Sequence, residues 1–317
     1  MEDPSQIILD RIFGAFKPCI EGFVYCKPIL QVDGTFFTGK YTGTLLLARS
    51  QDGNKRVFPV AFVIVEGETK EDWEWFFYNL KTYVTPQENL CIISDRGTSL
   101  LAALRSHELM RPQFERMLNS LRQKNARTEA WLDRIPKEKW SQTYDEGGRY
   151  GHMTTNLAEC INGFLKGSRA LPITALVRAT YYRLDECFNE HRNEASNMIM
   201  EGHVYCEELT KVIEENQRKS TCQMFRNFSR ETGVSEVEVV SRSGGRQVRL
   251  YTVKLADNWC DCGEFQSLLT SEAVSRSIAT CASSNLDCGQ FIPTIYRLDN
   301  LQKVYGYEFQ PLGNEEY

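Results

Sequence analysis

No apolar run in the sequence approaches the roughly 20 residues that a helix needs to span a bilayer. The opening stretch, MEDPSQIILDRIFGAF, has no basic segment ahead of a long apolar one. The first absence excludes a transmembrane helix and the second argues against a secretory or transit leader, so a soluble intracellular protein with no membrane partner is expected. Positive charge is also scarce. The net charge is −5 at pH 7, which removes any global electrostatic case for a nucleic-acid partner. Internal repeats and low-complexity linkers are missing as well. What is present is ordinary for a folded chain: 317 residues, 42% hydrophobic and 25% charged, enough for a substantial core in one or two domains.

Eleven cysteines are many for such a chain, but they are scattered and do not form a compact secreted framework. Cys19, Cys26, Cys91, Cys160, Cys187, Cys206 and Cys222 lie in apolar or helical surroundings, where a thiol behaves as a small buried hydrophobe. Only Cys260, Cys262, Cys281 and Cys288 stand close enough in sequence to suggest a metal site. Cys187 and His191 are spaced to share a helix face, and the pair reads as structural. One region departs from the acidic average. Residues 216–254 hold eight cations (Arg218, Lys219, Arg226, Arg230, Arg242, Arg246, Arg249, Lys254) against three anions (Glu231, Glu236, Glu238). On this charge count alone a solvated helix and hairpin surface accounts for it better than a phosphate-binding patch does.

Three strands are predicted in PILQVDGTFF, GTLLLARS and RVFPVAFVIVE, the first ending at Asp33-Gly34 and the last two joined by a hairpin at Asp52-Gly53. TKEDWEWFFYNLKTYV has helical periodicity through Trp73, Phe76, Phe77, Leu80 and Val84, with an entry at Thr69 or an adjacent residue and a stop before Pro86. NLCIISDRG follows as a buried strand, then a helix through TSLLAALRS. Further helices are predicted in the polar stretch 113–143, from about Thr155 to Gly167, after Pro172 as a first-turn proline, and over about 204–227. VEVVSRSGGRQVRLYTVKL alternates as a hairpin turning at Gly244-Gly245. Strand-strand-strand-helix-strand-helix suits an α/β fold of the ribonuclease-H type.

Asp33, Asp95 and Glu159 stand at a strand end, just after a strand and at a helix start. Carboxylates so placed could hold two divalent cations roughly 3.5–4 Å apart, the arrangement by which nucleases and polymerases clamp attacking and leaving oxygens. Oxygen donors suit Mg2+ or Mn2+. Each acid also has a plain structural reading: a turn residue before glycine, an Asp-Arg-Gly turn, and the third residue of a capping box on Asn156.

The surrounding words are more specific. QVDGTFFTGKYTGTLLLARSQDGNKRVFPVAFVIVEGETKEDWEWFFYNL, CIISDRGTSLLAAL and YDEGGRYGHMTTNLAECINGFLKGSRALPITALVRATYYRL resemble the Mutator-like element (MULE) transposases of plants, and NWCDCGEFQ resembles the SWIM zinc finger that follows their core. The resemblance implies a ribonuclease-H-like core with an Asp-Asp-Glu (DDE) triad on Asp33, Asp95 and Glu159, metal-dependent cleavage and transfer of DNA strands, and a nuclear location. It also implies that recognition of DNA ends lies elsewhere, because the chain begins almost at the first catalytic strand.

Two departures from that pattern bear on activity. The segment with a Cys-x-x-His motif that follows the second Asp in the family is missing, and the positions of the last two zinc ligands hold Val274 and Arg276, neither of which binds zinc. Cys260 and Cys262 are left as a residual pair that Cys281 and Cys288 could complete as four thiolates. The expectation is little or no bound zinc. The chain is accordingly divided into a lead-in at 1–26, a ribonuclease-H-like transposase core with a shortened insertion at 27–190, a helical region at 191–236, and a small β-rich degenerate zinc-knuckle module at 237–317. The function expected is that of a transposase-derived protein with impaired catalysis. The alternatives are a non-catalytic DNA- or protein-binding regulatory module and an element relic without function.

Overall fold

The computed structural model describes residues 10–38, 40, 42–85, 90–94, 167–220, 223–229, 232–240, 248–254, 257, 259–261, 281 and 287–312. Along the chain these give β1 (Ile12–Gly14), α1 (Lys17–Phe23), β2 (Ile29–Phe36), β3 (Thr44–Gln51), β4 (Val57–Val65), α2 (Lys70–Asn79), β5 (Cys91–Ser94), α3 (Ile173–Met200), α4 (Glu207–Ser220), β6 (Gln223–Ser229), β7 (Val234–Val240), β8 (Val248–Lys254), β9 (Trp259–Cys260) and α5 (Leu298–Val304). The protein is mixed α/β. It forms two units, the first holding β1–β5, α1–α3 and α5, the second holding α4 and β6–β9. Among the described residues no helix is long and apolar enough to cross a membrane.

The sheet of the first unit has the order β1-β4-β3-β2-β5. β3 is central, and every one of its residues is buried, which explains why its sequence reads as a continuous apolar run instead of alternating. β2 and β4 flank it antiparallel, while β5 lies parallel to β2 with Val32 opposite Ser94. A parallel neighbour requires a crossover, and α2 lies within it. The Thr69 hydroxyl accepts from the Asp72 backbone N–H at 3.2 Å while Asp72 accepts from the Thr69 N–H at 3.2 Å. This reciprocal cap fixes the expected helix start. The helix runs into a π-helical turn over Leu80–Val84, in line with the expected stop before Pro86.

The β3–β4 hairpin forms where Asp52-Gly53 announced it, for a different reason. The left-handed residue of the turn is Lys55, at φ 63°, and the Asp52 carboxylate closes it by accepting from the Arg56 N–H at 2.8 Å. Gly53 is required by close approach: a Cβ there would lie 2.0 Å from the Ile295 carbonyl oxygen. α3 begins at Ile173 with Pro172 as its N-cap, one position before the first-turn place expected of it. Its buried face carries Leu176, Leu184, Phe188 and Ala195. Phe188 meets Phe58 of β4, Tyr305 and Phe309 at ring-centroid distances of 5.6, 5.2 and 5.1 Å. Thus residues from 294 onward return to the first unit, with Leu298, Leu301 and Val304 of α5 buried.

In the second unit β6, β7, β8 and β9 form an antiparallel meander. The hairpin expected over VEVVSRSGGRQVRLYTVKL is present with Val240 opposite Val248, and its turn lies outside the described residues. The helix expected over about 204–227 is corrected. It ends at Ser220, and Gln223–Ser229 forms a strand on β7. Ser220, Thr221 and Cys222 are weak helix formers, and the ladder offered by β7 overrides the periodicity.

A buried polar cluster ties the first unit together. Asp52 is fully buried and accepts from the Tyr305 hydroxyl at 2.9 Å. Lys27, 3% exposed, donates to the Gln51 side-chain oxygen and lies over the Tyr296 ring at 5.8 Å. Replacing Tyr305 with Phe leaves a buried carboxylate short of a donor, and is expected to destabilise the protein by about 1–3 kcal/mol in urea unfolding, with an unchanged m-value. Burial pushes the Lys27 amine down to about 8 from 10.5, against the pull of Asp52. Between those values the unfolded chain binds the extra proton, so stability rises with pH. That contribution is complete above the unfolded value and lost as pH falls through about 8. The stability of the native chain relative to Lys27→Met is therefore expected to increase from pH 8 to pH 10 in denaturant titrations.

Candidate functional site

The strand end expected at Asp33-Gly34 is corrected: pairing with β3 carries β2 on to Phe36, so Asp33 lies within the strand, where burial gives way to partial exposure. Its side chain is 28% exposed. Oδ1 accepts from the Gly34 N–H at 3.0 Å, and Oδ2 accepts from Nη2 of Arg49 at 3.4 Å. The carboxylate is thus oriented by its own backbone on one side and by a guanidinium from β3 on the other. Asp95 and Glu159 lie outside the described residues. The parallel ladder is described up to Val32 opposite Ser94, the residues that precede Asp33 and Asp95 in sequence.

Three further residues converge on this end of β2. Arg49 is 2% exposed, with Gln31 its partner in the β2–β3 ladder and Pro59 its partner on β4. Arg169 donates from Nη1 to the Thr35 hydroxyl at 2.7 Å, and its carbonyl accepts from the Thr38 N–H at 3.2 Å. Thr35 lies two residues from Asp33 and so on the same face of the strand. Glu68 is on the opposite face, against the Cα of Gly34, with its Oε1 accepting from the Trp73 indole N–H at 3.2 Å. A strand-period reading flags Arg49, a charge inside an apolar run. Arg169 and Glu68 have no such signal, because sequence-distant contacts place them here. By donor chemistry Asp33 suits a hard divalent ion, and Arg49 already meets one of its two oxygens with positive charge.

At the second proposed metal site, Cys260 is fully buried on β9 opposite Val253, and its Sγ lies 3.8 Å from Asp261 Oδ1. Cys262, Val274 and Arg276 lie outside the described residues, and nothing is described of the Cys288 side chain. Among the described residues no group of three His, Cys, Asp or Glu side chains is arranged to hold a metal ion. The Cys187–His191 pair sits on α3 as expected. The thiol is pushed up to about 11 by burial and then by Glu190, and burial pushes the imidazole down, which suits structural groups. Of the basic stretch, Arg218 on α4 and Arg249 on β8 are exposed. Arg230, Arg242 and Arg246 lie outside the described residues.

Residues 29–116 match the family model of the MULE transposase domain. The match opens at the first residue of β2 and takes in β3, β4, α2 and β5, four of the five strands of the sheet, among them the two that carry Asp33 and Arg49. Neither the comparison with curated proteins nor that with solved structures gave a match.

The packing of Glu68 gives Gly34 a testable role. A Cβ there would lie 2.8 Å from Glu68 Oε2. Because the atom met is the tip of an exposed side chain, Gly34→Ala is expected to cost no more than about 0.5 kcal/mol. In Gly34→Ala/Glu68→Ala the cost should largely vanish, as measured by thermal or urea unfolding of the four members of the cycle.

Proposed function

We propose that this is a transposase-derived protein of the Mutator-like family, with a ribonuclease-H-like core whose ancestral chemistry is metal-dependent cleavage and transfer of DNA strands by Asp33, Asp95 and Glu159, and that this chemistry is impaired here. The observation that carries the reading is the domain match over 29–116, which is supported by the sheet order. An antiparallel β4-β3-β2 set extended by a parallel β5 is the arrangement that suits a ribonuclease-H-type core. The register supports pairing of the first two acids, since the residues before Asp33 and Asp95 lie opposite each other.

Bound divalent ions would supply activation of a water or 3′-hydroxyl and neutralisation at the scissile phosphate. The chain's own part is positional. The Gly34 N–H fixes the rotation of the Asp33 carboxyl group, and β5 reaches Ser94 opposite Val32, the residue before Asp33. Arg169, anchored on Thr35, adds a cation on the Asp33 face that suits a DNA phosphate. DNA is the partner this chemistry requires, and a nuclear location follows from it. The C-terminal module is read as a degenerate SWIM finger with Cys260 and Cys262 as residual ligands.

The second reading is a non-catalytic DNA-binding module, favoured by the Arg49 contact on Asp33 and by the exposed Arg218 and Arg249. Thermal unfolding in millimolar Mn2+ separates the two. Ligand binding to the folded state raises the midpoint by mass action. A rise that Asp33→Asn and Asp95→Asn each abolish is the result expected of the catalytic lineage. No rise in a cooperatively folding chain, together with DNA affinity that falls steeply with salt, would replace it with the binding module.

A further inference from the structure

We propose that Arg49 is a resident counter-cation for Asp33 that weakens the capture of a divalent ion at that carboxylate, an inference that rests on the reading of Asp33 as a metal ligand. Arg49 is among the largest fully buried side chains of the protein. It issues from the central strand, where a register shift between Ala48 and Arg49 interrupts the β3–β4 ladder, and its side chain lines an apolar cavity of about 40 Å3 beneath α3 together with Cys19, Leu47, Val60 and Leu184. A guanidinium in such surroundings stays charged and needs a negative partner close by. Asp33 Oδ2, at 3.4 Å, meets that need.

The same geometry sets the two cations in competition. A divalent ion on Asp33 would share Oδ2 with Nη2 or displace it. Sharing brings like charges together at a part-buried site, and displacement takes the Asp33 contact from a buried guanidinium. Oδ1 is engaged by the Gly34 N–H at 3.0 Å, so rotating the carboxyl group to present its other oxygen costs that bond. The Arg169 guanidinium, held on Thr35 on the same face, adds positive potential that a metal would also face. Arg49 thus acts through Asp33 as a positioning residue, and its charge is what opposes the metal.

The test is Mn2+ affinity, read from the EPR signal of free Mn2+ in titrations of the full chain, with folding checked by circular dichroism. Arg49→Met and Arg49→Gln remove the charge and are expected to tighten binding roughly tenfold, equivalent to the about 1.4 kcal/mol of a tenfold constant. Arg49→Lys keeps the charge and should bind within about threefold of the native chain. Asp33→Asn/Arg49→Met should lose the gain. Unchanged or weaker binding in the neutral variants, with native binding still abolished by Asp33→Asn, overturns the role of Arg49 and leaves the metal reading standing. Absence of Mn2+ binding in every folded variant overturns both. If neither neutral variant folds, the native chain decides through the arginine side-chain N–H resonances during Mg2+ titration. The Arg49 signal should shift in the native chain and not in Asp33→Asn, and a signal unmoved at saturation overturns the proposal.

Discussion

The carboxylate of Asp52 has no access to water, so the protein must supply what solvent cannot. It does so from two directions: the Arg56 N–H inside the hairpin and the Tyr305 hydroxyl at the end of α5. Burial raises the Asp52 carboxyl, and these bonds hold it down. The Tyr305 phenol is pushed well above its usual value by burial and by the neighbouring Asp52, which keeps it a donor. From this point the contacts spread. Arg56 reaches Glu194 on α3, and Arg192 of the same helix satisfies the carbonyls of Tyr305 and Tyr307 at 2.9 and 3.3 Å. One satisfied anion fixes the hairpin, α3 and α5 against one another, and through Gln51 and Lys27 it sets the start of β2.

Local chemistry was legible in advance, and long-range chemistry was not. The apolar runs of β2, β3 and β4, the cap at Thr69 and the hairpin of β7 and β8 are specified by neighbours within a few residues, so their signals survive in a linear reading. Asp33 was singled out by the words around it, and its role as a metal ligand belongs to the proposal. The end of α4 was misread because helical periodicity in a short window competes with a partner strand that the window does not contain. The need for glycine at position 53 was assigned to turn geometry, whereas its cause is Ile295, more than two hundred residues away. Nothing in the stretch after residue 294 announces that it completes the core of the first unit.

Asp33 is where two demands meet. Its place at the end of a parallel strand pair suits a metal ligand, and its contact with a buried guanidinium suits a structural ion pair. A pair of that kind contributes little net stability, yet breaking it is costly. The distinction matters for reading the match to the MULE transposase domain, because an intact acidic residue does not by itself mean an acid available for chemistry.

The return of residues 294–312 to the first unit has a consequence for how the chain is made. Tyr205 pairs with Arg297, the Cys206 N–H donates to the Tyr296 carbonyl, and the Asn300 side chain bonds the carbonyl of Tyr25 across 275 positions of sequence. A ribosome releases the β2–β4 meander early, but the aromatic lid formed by Tyr305 and Phe309 over Phe58 and Phe188 arrives only after residues 207–293 of the second unit have been made. Until then the nascent first unit holds its sheet with one apolar flank uncovered and Asp52 without its phenol. Folding of this unit therefore waits on residues 294–309, and the earlier segments must stay soluble until these have been made.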